Sequence, residues 1–114
     1  MSTEIAPEIH VSEAVRLTRS GCLLLDVRED YEWQAGHAPD AIHVPLASLA
    51  TAPLPSWGSK RVVVACRSGN RARTATLLLR HRGVQALTLT GGMNAWAQHG
   101  APVVTSSGGT GRVA

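Results

Sequence analysis

The stretch that decides the fold is RVVVACRSGNRARTATLLLR, residues 61–80. Its first five residues, Arg61 to Ala65, include three successive valines, and this composition favours a buried β-strand. A helical pattern then runs from Arg71 to His81 and ends before Gly83. The residues in between form a short polar loop, CRSGNR, residues 66–71. The stretch therefore predicts a strand, a tight loop and a helix in direct succession.

Similar apolar runs on either side predict further strands, separated by segments with helical spacing. The additional strands are predicted at residues 9–11, 22–27, 41–44 and 86–90. Helices are predicted in SEAVRLTRSG, capped by Ser12 and ended by Gly21, and at residues 30–35, 46–50 and 93–98. A turn is expected at Pro53 and Pro55. Strands that alternate with helices indicate an α/β fold with a mainly parallel sheet covered on both faces.

Length and composition limit the chain to one domain. It has 114 residues, of which 44% are hydrophobic and 17% charged, a balance typical of a globular protein. The last ten residues, TSSGGTGRVA, are rich in Gly, Ser and Thr. We therefore predict a folded domain over residues 1–104 and a flexible C-terminal tail over residues 105–114.

Charge and sequence patterning argue against several classes of partner. The formal net charge is +3, without a long basic tract or a set of aromatic side chains that would predict nucleic acid binding. A small anionic substrate fits this mild positive bias better. There is no signal peptide pattern at the N-terminus and no apolar run of about 20 residues. We therefore expect a cytoplasmic protein that does not bind membranes.

Cysteine and histidine spacing predict neither a disulfide framework nor a metal site. The two cysteines, Cys22 and Cys66, stand far apart and do not form a CxxC pair. The histidines lack the spacing of metal ligands. We expect no metal and no cofactor. Cys22 begins a strand without a basic loop beside it, and we interpret it as an unreactive packing residue.

The chemistry is predicted to reside in the loop that begins with Cys66. A loop between a buried strand and a helix lies at the carboxyl edge of the sheet, where open α/β folds bind ligands. Its N–H groups and the helix N-terminus attract anions, and Gly69 allows the tight curl. Arg67 and Arg71 add positive charge. This environment favours a thiolate and would also stabilise the anion of a persulfide.

Three segments resemble the rhodanese family over most of the chain, from about residue 9 to residue 103. The first is LLLDVREDYEWQAGHAPDAIHVPL, residues 23–46, the second is the loop CRSGNR, and the third is LTLTGGMNAWAQHGAPV, residues 87–103. Two departures concern single residues. Ala72 stands where many such loops have Ser, so a hydroxyl is missing there. Ala38 and Asp40 stand where Ile and Gly are common.

This resemblance implies a five-stranded parallel sheet with flanking helices and a sulfurtransferase with Cys66 as the nucleophile. The thiolate would take a sulfur atom from a donor such as thiosulfate and pass it from a persulfide to cyanide or to another thiol. The residues implied in binding the donor, chiefly through backbone amides, are Arg67, Ser68, Gly69, Asn70, Arg71 and Ala72. Arg67 is the best side-chain candidate for the sulfonate end of the donor.

Other polar and aromatic residues near this edge have structural interpretations. Asp26 and Arg28 could support the loop or face the donor, and we favour an ion pair that fixes strand to loop. His37 could be a general base, but a buried histidine bonded to the backbone is the preferred interpretation. Trp33 and Trp96 are interpreted as packing residues.

Three alternative functions remain open at this stage. Phosphatases and arsenate reductases of related fold have five residues between cysteine and arginine, whereas this loop has four, Arg67 to Asn70. The shorter loop argues against binding of a tetrahedral phosphate group as substrate. A non-catalytic binding module would usually lack the cysteine. The remaining alternative is a sulfur carrier that receives sulfur from a sulfur-relay protein.

Overall fold

The structure is a computed structural model that describes residues 5–51 and 60–114. Five strands and five helices alternate along this part of the chain, in agreement with the predicted α/β class. Their bounds are β1 (Glu8–Ile9), α1 (Val11–Arg19), β2 (Leu23–Asp26), α2 (Asp30–Ala35), β3 (Ile42–His43), α3 (Leu46–Leu49), β4 (Arg61–Ala65), α4 (Asn70–His81), β5 (Gln85–Leu89) and α5 (Gly92–Gln98).

All five strands are parallel and lie in one sheet in the order β1-β5-β4-β2-β3. The strand with three successive valines, β4, is therefore the central strand. The register pairs Asp26, the last residue of β2, with Ala65, the last residue of β4. Since the strands are parallel, the loops that follow them meet at one edge of the sheet, as expected for open α/β folds.

Helices cover the sheet on both faces, and β4 contributes to two separate cores because side chains alternate along a strand. Val62 and Val64 pack on the face covered by α3 and α4, together with Leu49, Ala75 and Leu79. Val63 and Ala65 pack on the opposite face, covered by α1 and α5, together with Ala14, Val15, Leu24, Met93 and Trp96. All four β4 side chains are completely buried. This double burial accounts for the unbroken apolar run.

Most predicted boundaries differ from the structure by one or two residues, and those of α2 and β4 agree. The predicted cap of α1 was wrong. His10, not Ser12, is the N-cap residue, and its Nδ1 atom accepts a hydrogen bond from the Ser12 amide at 3.2 Å. Ser12 itself lies inside the first turn because Val11 is already helical. The turn predicted at Pro53 and Pro55 lies outside the described residues.

The C-terminal segment, predicted as a flexible tail from residue 105, makes backbone contacts with the domain. Val104 forms antiparallel bridges with His37 and with Thr110. The Arg112 amide donates a hydrogen bond to the carbonyl of Ala35 at 3.0 Å, and Val113 packs against the core beneath α1 and α5. Residues 103–112 thus form a small hairpin beside the end of α2. The boundary at residue 104 stays a prediction.

The helices of residues 5–51 and 60–114 are too short or too polar for membrane crossing.

Candidate active site

Cys66 lies directly after the central strand, where the chain begins to curl toward α4. The residue is only 1% exposed. Its Sγ atom accepts a hydrogen bond from the Gly69 amide at 3.0 Å. Gly69 has a φ of +120°, a backbone conformation that residues with a Cβ rarely adopt. Glycine at this position therefore allows the loop to turn so that the Gly69 N–H points at the sulfur.

The start of α4 supplies further N–H groups to the same place. Gly69 is the N-cap of this helix, and its carbonyl accepts the Arg73 amide at 3.0 Å. The amides of Asn70, Arg71 and Ala72 form the first turn, where no helical carbonyl lies four residues earlier to accept them. With the helix dipole, these groups create a positive potential at the loop. A bound anion is stabilised there.

The first turn of α5 holds the loop from the other side. The amides of Met93 and Asn94 donate to the carbonyls of Cys66 and Arg67, at 2.8 and 3.0 Å. This contact requires Gly92, because a Cβ at that position would lie 2.7 Å from the Arg67 carbonyl oxygen and closer still to that of Cys66. No contact of these residues with the loop was predicted from the sequence. The Gly91-Gly92 pair before a short helix was the signal available.

Arg71 is bound by a carboxylate that the sequence analysis missed. Its two terminal nitrogens donate to the two oxygens of Glu32, on α2, at 2.6 and 2.9 Å. Glu32 is 3% exposed, and its hydrogen bond with Arg71 lowers the pKa of its carboxyl group. The same bond raises the pKa of the guanidinium above its already high value. Only the fold shows this pair, since the two residues are 39 positions apart.

The ion pair predicted between Asp26 and Arg28 is confirmed and is completely buried. Nε and Nη2 of Arg28 donate to the Asp26 carboxylate at 2.8 to 3.1 Å, and Nη2 also donates to the Gly36 carbonyl at 2.7 Å. Because Asp26 pairs with Ala65 in the sheet, this ion pair lies next to the loop. It ties β2 to the end of α2. The Arg28 charge also helps to lower the pKa of Glu32.

The remaining predicted donor-binding residues differ in what they can offer a ligand. Arg67 and Ser68 are exposed, and Arg67 has no carboxylate partner among residues 5–51 and 60–114. Asn70 is exposed, and its side-chain oxygen accepts from Arg73 at 3.0 Å. Ala72 is buried and its methyl group packs in the core. Ala72 can therefore contribute its backbone only. Among the described residues, Arg67 is the cation of the loop that is not paired with a carboxylate.

The residues interpreted as structural have structural contacts. Nδ1 of His37 hydrogen-bonds the Trp33 carbonyl at 2.9 Å. The Trp33 ring stacks on His37, with ring centroids 3.7 Å apart, and on His43 at 4.7 Å. Trp96 is in the core and donates to the Pro102 carbonyl.

Cys22 lies at the opposite edge of the sheet. Its thiol donates a hydrogen bond to the Arg61 carbonyl, and burial raises the pKa of this thiol.

Within residues 5–51 and 60–114, no three His, Cys, Asp or Glu side chains are close enough to hold a metal ion.

A comparison with known protein families shows which family this chain belongs to. The sequence matches the rhodanese-like domain over residues 10–99, most of its length. The chain belongs to the rhodanese-like family. A sulfurtransferase of Allochromatium vinosum is 38% identical over 89 residues, covering 75% of this chain and 81% of that protein. The family resemblance inferred from the three sequence segments is thus confirmed.

Other proteins are similar to this chain in sequence or in fold. An uncharacterised Synechocystis protein is 41% identical over 83 residues, covering 72% of this chain but 46% of that protein. A rhodanese-related protein of Thermoplasma volcanium superposes with a TM-score of 0.78 at 28% identity, covering 86% and 97% of the two chains. A thiosulfate sulfurtransferase of Pseudomonas aeruginosa superposes with a TM-score of 0.77 at 27% identity, covering 88% of this chain and 19% of that one. The part of this chain that matches spans about half the length of the Synechocystis protein and most of the length of the Allochromatium vinosum sulfurtransferase.

Proposed function

We propose that this protein is a sulfurtransferase that carries sulfur as a persulfide on Cys66, with thiosulfate as a donor. The observation that carries the proposal is the position of the Cys66 sulfur. It accepts the Gly69 amide at 3.0 Å and lies at the N-terminus of a twelve-residue helix. An anionic sulfur at this place is stabilised by N–H groups that have no other helical partner.

The proposed reaction has two steps. In the first, the Cys66 thiolate attacks the outer sulfur of thiosulfate, an S–S bond forms, and sulfite leaves with the electron pair of the bond that breaks. In the second, cyanide or a thiolate attacks the outer sulfur of the persulfide. The Cys66 thiolate is regenerated when cyanide departs as thiocyanate, or a thiol as its persulfide. No oxidant or cofactor enters either step.

The loop residues have distinct roles in this proposal. The amides of residues 67–72 bind the donor and the persulfide, and Arg67 binds the sulfonate end, because its guanidinium is exposed and unpaired among the described residues. Arg71 is a positioning residue, since both of its terminal nitrogens are bound to Glu32. This occupied arginine, like the short loop, argues against phosphate transfer.

A second candidate is a sulfur carrier in the cytoplasm that is fed by a partner protein. It is favoured by the burial of Cys66 in a loop whose neighbouring residues Arg67, Ser68 and Asn70 are exposed. A partner could contact these side chains while it transfers sulfur. In this case the persulfide still forms on Cys66, but thiosulfate is a poor donor.

Intact-protein mass spectrometry tests both candidates. The protein is incubated with thiosulfate, and spectra are taken before and after addition of cyanide, with Cys66→Ala and Cys22→Ala in parallel. We expect a one-sulfur adduct on the wild type and on Cys22→Ala that disappears as thiocyanate forms, and none on Cys66→Ala. If thiosulfate gives no adduct but a cysteine desulfurase with cysteine does, the carrier is supported. If neither gives an adduct, both candidates are excluded. Turnover of an aryl phosphate would indicate a phosphatase instead.

A further inference from the structure

A cavity lies at the edge of the sheet opposite to Cys66. Its volume is about 480 Å³, and it is bounded by the end of α1, the start of β2, the segment before β3 and α5. Cys22 precedes β2 whereas Cys66 follows β4, and the strands are parallel, so the two cysteines mark opposite edges. Cavities of about 300 to 1,000 Å³ are typical of small-molecule sites.

The lining of this cavity combines an apolar surface with two opposite charges. Val15, Leu24, Trp96 and Pro102 contribute apolar surface, and the side chains of Arg19 and Asp40 are the charged groups. Both charged residues are exposed. In the part of the chain that the structure describes, neither of them forms an ion pair. The lining of the cavity thus includes Trp96 together with a cation and an anion that have no ionic partner among the described residues.

Asp40 carries its carboxylate at a position whose backbone favours glycine. Its φ is +63°, the one positive φ of a non-glycine residue among residues 5–51 and 60–114. Aspartate tolerates this conformation best when its side chain hydrogen-bonds locally. The structure gives Asp40 no such bond within the described ranges. Its carboxylate is consequently available to a ligand, and the turn itself does not require it.

We propose that this cavity binds a small zwitterion with an apolar side chain, a class that includes the hydrophobic amino acids. The carboxylate of the ligand binds the Arg19 guanidinium, and its ammonium group binds the Asp40 carboxylate. The apolar part packs against Trp96 and Leu24. A cation and an anion at one apolar cavity are the complement of such a molecule. The proposal does not depend on sulfur chemistry at Cys66.

Titration of the ¹⁵N-labelled protein with L-phenylalanine, followed by NMR, tests the proposal. We expect saturable shifts of the Trp96 indole N–H and of the amides of Cys22 and Leu24. The analogues 3-phenylpropanoate and 2-phenylethylamine, which each lack one charge, should bind about tenfold more weakly. Absence of saturable shifts at these groups, or equal affinity for the three compounds, would overturn the proposal.

Single-residue variants test how much each of the two charges contributes to L-phenylalanine binding. Asp40→Gly removes the carboxylate and suits the positive φ, so the turn is retained. Arg19→Gln removes the positive charge. Each should weaken L-phenylalanine binding about tenfold, whereas Arg80→Gln, an exposed change on α4, should leave it unchanged. Unchanged binding in both cavity variants contradicts the assigned contacts.

Alkylation of Cys22 gives a readout that does not use NMR or sulfur transfer. In Cys66→Ala protein, Cys22 is the remaining thiol, and it lines the cavity. Because burial raises its pKa, the reaction with iodoacetamide is best followed above neutral pH. Saturating L-phenylalanine should slow the alkylation at least about tenfold, the protection expected when about nine-tenths of the sites are occupied. An alkylation rate that L-phenylalanine does not change would count against binding at this site.

Discussion

The Glu32 carboxylate on α2 and the Arg71 guanidinium of the Cys66 loop form two parallel hydrogen bonds, 2.6 and 2.9 Å long. Glu32 is itself fixed, because its Oε1 atom accepts the Glu29 amide at 3.0 Å in the capping box of α2. The loop arginine is therefore held by a helix that begins four residues after β2 ends. This arrangement sets the position of the loop. Arg67 remains the positive charge of the loop that has no carboxylate partner within residues 5–51 and 60–114.

Replacement of Glu32 by Gln should destabilise the protein and slow sulfur transfer. Glutamine preserves the capping box but leaves Arg71 without a charged partner. We expect the free energy of unfolding to fall by about 2 kcal/mol, the contribution typical of hydrogen bonds between charged groups. The kcat/KM for thiosulfate should fall about tenfold or more as the loop loses its fixed position. Urea denaturation and steady-state kinetics measure the two effects.

The matched control for this change is Glu13→Gln. Glu13 pairs with Arg16 on α1, but this ion pair is exposed. The residues of α1 pack in a different core cluster from the one that contains Cys66. Loss of the ion pair should leave both stability and activity unchanged within error. If Glu13→Gln and Glu32→Gln behave alike, the Glu32–Arg71 pair does not position the loop.

The contribution of Glu32 to stability should depend on pH in the acid range. Its pKa is lowered in the folded protein from an ordinary value of 4.5. The folded state therefore binds this proton more weakly than the unfolded state, and the stabilisation is complete above about pH 4.5 and lost as pH falls through the lowered value. The difference in unfolding free energy between wild type and Glu32→Gln should be constant near neutral pH and shrink in acid. A difference that stays constant down to about pH 3 would contradict this sign.

Replacement of Gly92 by Ala should disturb the loop more than its positive φ alone predicts. The new Cβ would press on the carbonyls of Cys66 and Arg67, in addition to the strain at φ +57°. Gly83 is the control, since its φ is +84° and a Cβ there meets no atom within 4 Å. We expect a loss of about 1 kcal/mol for Gly83→Ala and at least about 3 kcal/mol for Gly92→Ala. Only the second variant should lose sulfur transfer, which the mass assay reports.

A buried pair of hydroxyl groups offers a test of packing between α4 and β5. Thr88 donates a hydrogen bond to Thr76 at 2.8 Å, and both residues are completely buried. Thr76→Val or Thr88→Val alone leaves one hydroxyl without its partner and should cost about 1 to 2 kcal/mol. The double variant should cost less than the sum of the two, since it leaves neither group unsatisfied. Strict additivity in urea denaturation would show that the hydroxyls do not interact.

The parts of the fold that could be predicted from sequence are those set by local patterns. The three valines of β4 mark the central strand because a parallel strand buried on both faces must be apolar throughout. Gly36 marks the end of α2 in the same local way. The cap of α1 was missed because His10 is not a usual capping residue, although its ring nitrogen accepts the Ser12 amide. Contacts of residues 103–112 with α2 depend on the tertiary fold, and composition alone suggested a tail.

In the candidate active site, too, local features could be predicted from sequence and contacts between distant elements could not. Cys66, Gly69 and the start of α4 are neighbours in sequence, so their arrangement in a tight loop before a helix could be predicted from one segment. Glu32, Met93 and Asn94 reach the loop from other elements, and no local pattern connects them with Cys66. The cavity at the opposite edge is assembled from four segments. Its charged residues, Arg19 and Asp40, lie far apart in sequence and gave no motif.

The hydrogen bonds from α5 to the loop have a consequence for the nascent chain. The carbonyls of Cys66 and Arg67 are held by amides that lie 27 residues further along the sequence. Before the ribosome has released that segment, Cys66 is already present, but the hydrogen bonds that hold its loop cannot form. The sulfur-transfer site that we propose would therefore be complete only after α5 has been translated and has packed. A protein cleaved before Gly92 would lose these two hydrogen bonds while it retained Cys66.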